Sequence, residues 1–271
     1  MLRLNDFLDR LSIIKVLSFF LIIIIVLTLI PMALDLNFGN LFFKFILYCI
    51  MLLFFAYELN KIDFDEISFK TALRNEFDTI FEVSDIYHIS FIVIANILFV
   101  SAIYFILKYL SHLSIIGFNS PLFGDFRTLS LSVLALYFLT IVVLSPIIEE
   151  LLFRGIFLRR FNKELNVTLA ILVTSVLFGL CHNFGGILGA ILFGICVAIL
   201  YIKSKNILVP IFAHFLNNLL SFLALRIREN SLLFVPTQSG GMEIIMPVVF
   251  TVPESIVVHL GAPDDKGAPN V

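Results

Sequence analysis

Tryptophan is absent from this sequence, and charge is scarce. Only 14% of the 271 residues are Asp, Glu, Lys or Arg, against roughly 25% in a soluble domain. That scarcity excludes a globule with a water-facing surface all round. The formal net charge is −2, so no basic field is available for nucleic acid, and none is expected as a partner. Cysteine is also rare. Cys49, Cys181 and Cys196 all lie within apolar runs, and an odd count without regular spacing excludes a disulfide framework. They read as small packing residues, with Cys181, beside His182, as an alternative thiol nucleophile. Two catalytic patterns are missing as well: no H-E-x-x-H and no G-x-S-x-G occurs.

What is there is apolar. Hydrophobic residues make up 60% of the chain, the mean hydropathy is +1.07, and several uncharged runs approach the ~20 residues that a spanning helix needs. The fold class expected is an all-α, polytopic membrane bundle with about seven transmembrane helices. Residues 16–34 follow Arg3, Arg10 and Lys15. The run is longer than a signal peptide's apolar core and no A-x-A site follows, so it reads as a retained first helix. By the positive-inside rule the N-terminus is cytoplasmic.

Further spans are expected at 41–57, at 86–107, from about 129, twice within 165–202 with a hinge at His182–Gly186, and at 207–225. The basic groups Arg159, Arg160 and Lys163, and Lys203 and Lys205, then fall inside. Residues 58–85 form a polar linker in which Ile62, Phe69, Leu73, Phe77 and Ile80 recur at near-helical spacing, as in a surface amphipathic helix. Three units result: N-terminal membrane helices over 1–128, a second membrane unit over 129–226, and a polar tail over 227–271. With seven spans the tail lies outside. Its prolines, glycines and short apolar pieces read as extended chain ending in disorder, the start of an incomplete soluble module.

The second unit holds polar groups that lipid should not tolerate. "SPIIEELLFR" (145–154) places Glu149 and Glu150 after some twenty uncharged residues, at an insertion cost of at least about 2.5 kcal/mol for a central carboxylate. Glu150 and Arg154 are four apart, share a helical face and can pair. Glu149 is rotated by about 100° and needs partners elsewhere. Phe178 and His182 are four apart in "FGLCH", and His214 and Asn218 in "HFLNN", with Asn217 a possible substitute. At 1.5 Å per residue, Glu149 and His214 lie roughly 15 and 14 Å from their basic helix ends, but His182 nearer 24 Å from Asn166.

Each element has a bland reading: a packing histidine, an asparagine that glues two helices, a structural ion pair. Taken together, a spare carboxylate, two imidazoles and an amide on separate helices suit a site. A glutamate and a histidine flanking a water can deprotonate it for attack on a carbonyl. A second histidine and an asparagine can donate to the resulting oxyanion. Zinc held by Glu149, His182 and His214 is the mechanistic alternative, although no cofactor is required by the kit.

"EELLFR" (149–154), "FGLCH" and "HFLNN" resemble the E-E-x-x-x-R, F-x-x-x-H and H-x-x-x-N motifs of the CAAX-protease and bacteriocin-processing family of intramembrane glutamate endopeptidases. The resemblance covers roughly residues 130–225 and makes 129–226 a catalytic core. It implies that Glu149 is the water-activating base with His182 as partner, that His214 and Asn218 form the oxyanion site, and that Glu150, Arg154 and Phe178 support them. It further implies a lipid-embedded enzyme acting on a peptide or protein, either prenylated or a precursor, in what the short N-terminus and Phe/Ile-rich spans suggest is a bacterial plasma membrane. The rival expectations are a non-catalytic immunity or partner protein and a proton-coupled transporter. The transporter would call for an internal repeat, whereas the polar groups all fall in the second half.

Overall fold

The structure is a computed structural model that describes residues 4–34, 39–62, 68–79, 83–112, 130–182 and 187–230. Every described element is helical: α1 (Leu4–Arg10), α2 (Ile13–Ala33), α3 (Asn40–Lys61), α4 (Phe69–Thr79), α5 (Val83–His112), α6 (Leu131–Glu164), α7 (Val167–Leu180), α8 (Ile187–Ser204) and α9 (Leu208–Asn230). Helices α2, α3, α5, α6 and α8 are long and apolar enough to cross a membrane, and α7 and α9 contain shorter apolar helices. The protein is an all-α polytopic membrane protein, as its composition requires. The segments at 113–129 and 231–271, including the expected extended tail, lie outside the described residues, as does most of the expected hinge, 183–186. Helix α9 runs on to Asn230, past the expected end at 225.

Helix α2 shows what a lipid-facing span looks like. Ser12 caps its N-terminus by accepting from the Lys15 amide, and only 6% of its apolar window is buried. Leu17, Leu21, Ile25 and Leu29 stay exposed, which costs nothing where the solvent is hydrocarbon. In α6 and α8 the buried share rises to 39%. Helix α3 is intermediate: Leu47, Met51, Phe54, Phe55 and Leu59 are buried, the one-sided stripe of a helix that packs on a single face. Helices α7 and α8 approach closely because Gly179 offers no side chain. A Cβ there would lie 2.3 Å from the Ile191 side chain, so a small residue is what the contact needs.

Two features correct the sequence reading at one end of the bundle. Helix α1 was not expected, yet Leu4, Phe7 and Leu8 are buried, and α1 packs on α4 and α6. The Asn5 amide donates to the Lys205 carbonyl at 2.7 Å and its oxygen accepts from the Tyr201 hydroxyl at 2.6 Å. Asp9 accepts from Arg159 Nε at 3.0 Å and from Arg159 Nη2, and lies 3.2 Å from Lys163. The basic cluster that marks the membrane end therefore also seats α1. The linker does contain an amphipathic helix, α4, but Phe77 is 54% exposed while Ala72 and Glu76 are buried. Glu76 faces inward because its carboxylate accepts the Leu4 amide at 3.2 Å. Phe69 and Leu73 of the expected stripe pack on the apolar core beside Ala72, so the periodicity holds there and only Phe77 departs from it, its place on the covered face being taken by Glu76.

Candidate active site

Helix α6 is not a uniform α-helix. Segments Phe138–Leu144 and Leu151–Leu158 are π-helical and bracket an α-helical turn, Ser145–Glu150. Such widened turns are frequent at functional sites because they loosen the regular backbone ladder. The two glutamates stand at the end of the turn between them and face different neighbours.

Glu150 is fully buried, and so is Arg154. The Arg154 guanidinium donates to Glu150 Oε1 at 3.0 Å and to the Gly194 carbonyl of α8 at 2.9 Å. It also lies over the Phe178 ring, 4.6 Å from the centroid, a cation–π contact strengthened by the absence of water. Gly194 is required by this close approach, since a Cβ there would sit 3.3 Å from the guanidinium and 3.1 Å from the Ser175 Cβ. The ion pair expected from four-residue spacing is present.

A second partner of Glu150 was not foreseen. His214 Nδ1 lies 2.9 Å from the same Oε1, and the ring is buried edge-on between Phe178 and Phe193, at centroid distances of 5.7 and 5.3 Å. Four-residue spacing pairs Glu150 with Arg154 within one helix and carries no sign of a second partner on α9. Glu150 serves both. One carboxylate oxygen thereby couples the supporting cation to a candidate site imidazole.

Glu149 is half-buried and its hydrogen-bond donors are uncharged. Its Oε1 accepts from the Tyr48 hydroxyl of α3 at 3.0 Å and from the Ser145 hydroxyl one turn earlier. The imidazoles of His182 and His214 are both within electrostatic range of this carboxylate. His182 follows the end of α7 at Leu180, and its Nδ1 turns back onto the Phe178 carbonyl at 2.8 Å. A carbonyl only accepts, so Nδ1 carries the proton and the neutral ring keeps a lone pair on Nε2. The estimated depth of 24 Å assumed helix as far as His182. Because α7 stops at Leu180 and the ring folds back by a turn, part of that offset disappears.

Asn218 donates to the Ile141 carbonyl at 2.8 Å, in the first π-helical segment. This uses one of its two amide hydrogens. Asn217 does not substitute for it: Asn217 points to α5, where its oxygen accepts from Asn96 at 3.0 Å. Cys181 is exposed, not packed, while Cys49 and Cys196 are half-buried. Among the described residues, no three His, Cys, Asp or Glu side chains converge in a way that could hold a metal ion.

The structure thus gathers Glu149, Glu150, Arg154, Phe178, His182 and His214 into one region, with Asn218 one turn beyond His214 on α9. Sequence reasoning missed Tyr48 and Ser145. Ser145 could have been found by the same four-residue spacing that identified Arg154. Tyr48 carries a weaker signal, a hydroxyl beside the buried stripe of α3.

Residues 130–220 match the family described as Rce1-like, type II CAAX prenyl endopeptidase Rce1-like. A Bacillus subtilis (strain 168) protein described as "Putative membrane peptidase YdiL" is 33% identical over 109 residues. That stretch is 40% of this chain and 44% of the relative, so the match spans less than half of the relative's length. No solved structure matches the chain. The matched residues contain all three polar motifs, and over that region the chain is similar to Rce1-like membrane endopeptidases and to a protein described as a membrane peptidase.

Proposed function

We propose that the protein is an intramembrane endopeptidase that hydrolyses a peptide bond with a water activated by Glu149 and His182. The observation that carries the reading is the unequal treatment of two adjacent carboxylates. Glu150 is neutralised by Arg154 at 3.0 Å, whereas Glu149 has only hydroxyl donors, Tyr48 and Ser145, and both are on Oε1. Its Oε2 takes no donor among the described residues and is the oxygen open to a proton from water.

In this mechanism a water sits between Glu149 Oε2 and the lone pair on His182 Nε2. Glu149 takes one proton as the water oxygen attacks the scissile carbonyl. The carbonyl oxygen becomes an oxyanion, received by the second amide hydrogen of Asn218 and by His214 Nε2. Because the Nδ1–H of His214 is directed at the Glu150 carboxylate, donation from Nε2 as well requires a ring that carries both protons. Glu150 accepts from Nδ1 and fixes the orientation of the ring. Collapse of the tetrahedral intermediate breaks the C–N bond, and Glu149 returns its proton to the leaving amine.

The substrate class we assign is a lipidated or otherwise membrane-associated peptide. Support comes from a site enclosed by apolar helices and from the description of the matched family as prenyl endopeptidases. The test uses purified protein in detergent with an internally quenched farnesylated peptide and its non-prenylated counterpart. Cleavage of the farnesylated peptide, lost on Glu149→Gln, is the expected result. Stable binding of either peptide with no cleavage would instead favour a partner or immunity role. Proton-coupled uptake into proteoliposomes would favour transport.

A further inference from the structure

The matched family region begins at residue 130, yet one contact to Glu149 comes from well before it. Tyr48 lies on α3, half-buried against the main apolar core, and its hydroxyl reaches Glu149 Oε1 at 3.0 Å. Ser145 donates to the same oxygen. Helix α3 packs on the first π-helical segment of α6 and on the turn that follows it, so this contact has a scaffold behind it. Tyr48 is thus held by packing on one side and aimed at the carboxylate on the other.

We propose that Tyr48 is a positioning residue for the Glu149 carboxylate, and that it makes the N-terminal helices part of the active site. The inference rests on the reading of Glu149 as the base. Two hydroxyl donors on Oε1 fix the carboxylate plane, since each O–H···O⁻ bond is directional and strengthened by the charge. Oε2 is then directed away from both donors and is the oxygen left to take the proton of the water. Neutral donors orient the group without cancelling its charge, which a cation in the same place would do. Ser145 lies on the same helix as Glu149 and cannot report the position of another element. Tyr48 can, so any shift of α3 against α6 changes the hold on the base.

The experiment compares wild type, Tyr48→Phe and Glu149→Gln in detergent, with the quenched farnesylated peptide as probe and with infrared difference spectroscopy. Subtracting Glu149→Gln from wild type isolates the Glu149 carboxylate band. Tyr48→Phe keeps the packed ring and loses only the hydroxyl, so its melting temperature should match that of wild type. Loss of a hydrogen bond to a charged group predicts a fall in kcat of roughly ten- to a hundredfold, with KM unchanged. The Glu149 band should shift in the same variant. Unchanged kcat, or an effect confined to KM, would overturn the positioning role, as would an unshifted band. If wild type cleaves nothing, the endopeptidase reading fails on its own, and the band still decides whether Tyr48 holds Glu149.

Discussion

The two faces of α6 at Glu149 and Glu150 follow opposite rules at the same height in the bundle. On one face a fully buried carboxylate is compensated by a guanidinium and an imidazole, and the guanidinium is held in turn by a backbone carbonyl and an aromatic ring. On the other, a half-buried carboxylate has two hydroxyls and an oxygen left over. A charge deep in a low-dielectric interior must be paired or it destabilises the fold. A group that is to exchange protons must not be fully paired. One helix meets both demands by placing the two carboxylates about 100° apart.

The largest expected effect comes from breaking the compensated face. Glu150→Ala leaves Arg154, 1% exposed, without its carboxylate, and removal of one partner of a buried pair typically costs about 3–5 kcal/mol. Thermal melts in detergent should show that loss, with partial recovery in Glu150→Ala/Arg154→Met, where no charge is stranded. A Glu150→Ala variant that melts with wild type would mean that water reaches Arg154.

On the open face, Asn218→Ala should lower turnover by roughly a hundred- to a thousandfold, the usual effect of one lost oxyanion donor. Substrate binding should persist, because the amide is needed only once charge develops on the carbonyl. Poor binding with normal turnover would remove Asn218 from the oxyanion site.

A smaller effect is expected far from either face, where α1 docks. Burial pushes the Asp9 carboxyl up, but Arg159 and then Lys163 outweigh this and hold it below its ordinary value of 3.8. A carboxyl lowered in the folded state contributes stability that is present above its unfolded value. That contribution is lost as pH falls through the folded value. The wild type should therefore lose melting temperature on acidification below about pH 4, and Asp9→Asn should flatten that limb while melting slightly lower at neutral pH. The two melting curves need only be recorded side by side from pH 7 to pH 3. The smallest effect is that of chelation: prolonged treatment with a strong chelator should leave cleavage unchanged. Loss of activity that returns with added zinc would reassign Glu149, His182 and His214 as ligands.

Much of this comparison was legible in the sequence, for identifiable reasons. Apolar runs bounded by Lys and Arg gave the spans, and four-residue spacing paired Glu150 with Arg154 and set Glu149 apart. Contacts within one helix follow from its period. Contacts between helices do not, so Glu150 with His214 and Tyr48 with Glu149 were out of reach. Helix α1 was hidden for another reason: in "LNDFLDR" (4–10) the apolar stripe is only three residues, Leu4, Phe7 and Leu8, and its docking depends on Asp9 meeting Arg159 across 150 positions. The π-helical segments of α6 left no mark in a periodicity that assumes 3.6 residues per turn.

The central claim is that Glu149 acts chemically while Glu150 holds the structure, and one substitution tests it most directly. Glu149→Gln preserves shape and the hydrogen bonds from Tyr48 and Ser145 but removes the capacity to accept a proton from water. Cleavage of the farnesylated peptide and thermal melting should be measured on the same purified sample. The account predicts that cleavage is abolished while the melting temperature stays within a degree or so of wild type, as for a surface-like change of small energetic weight. Full activity at an unchanged melting temperature would contradict it.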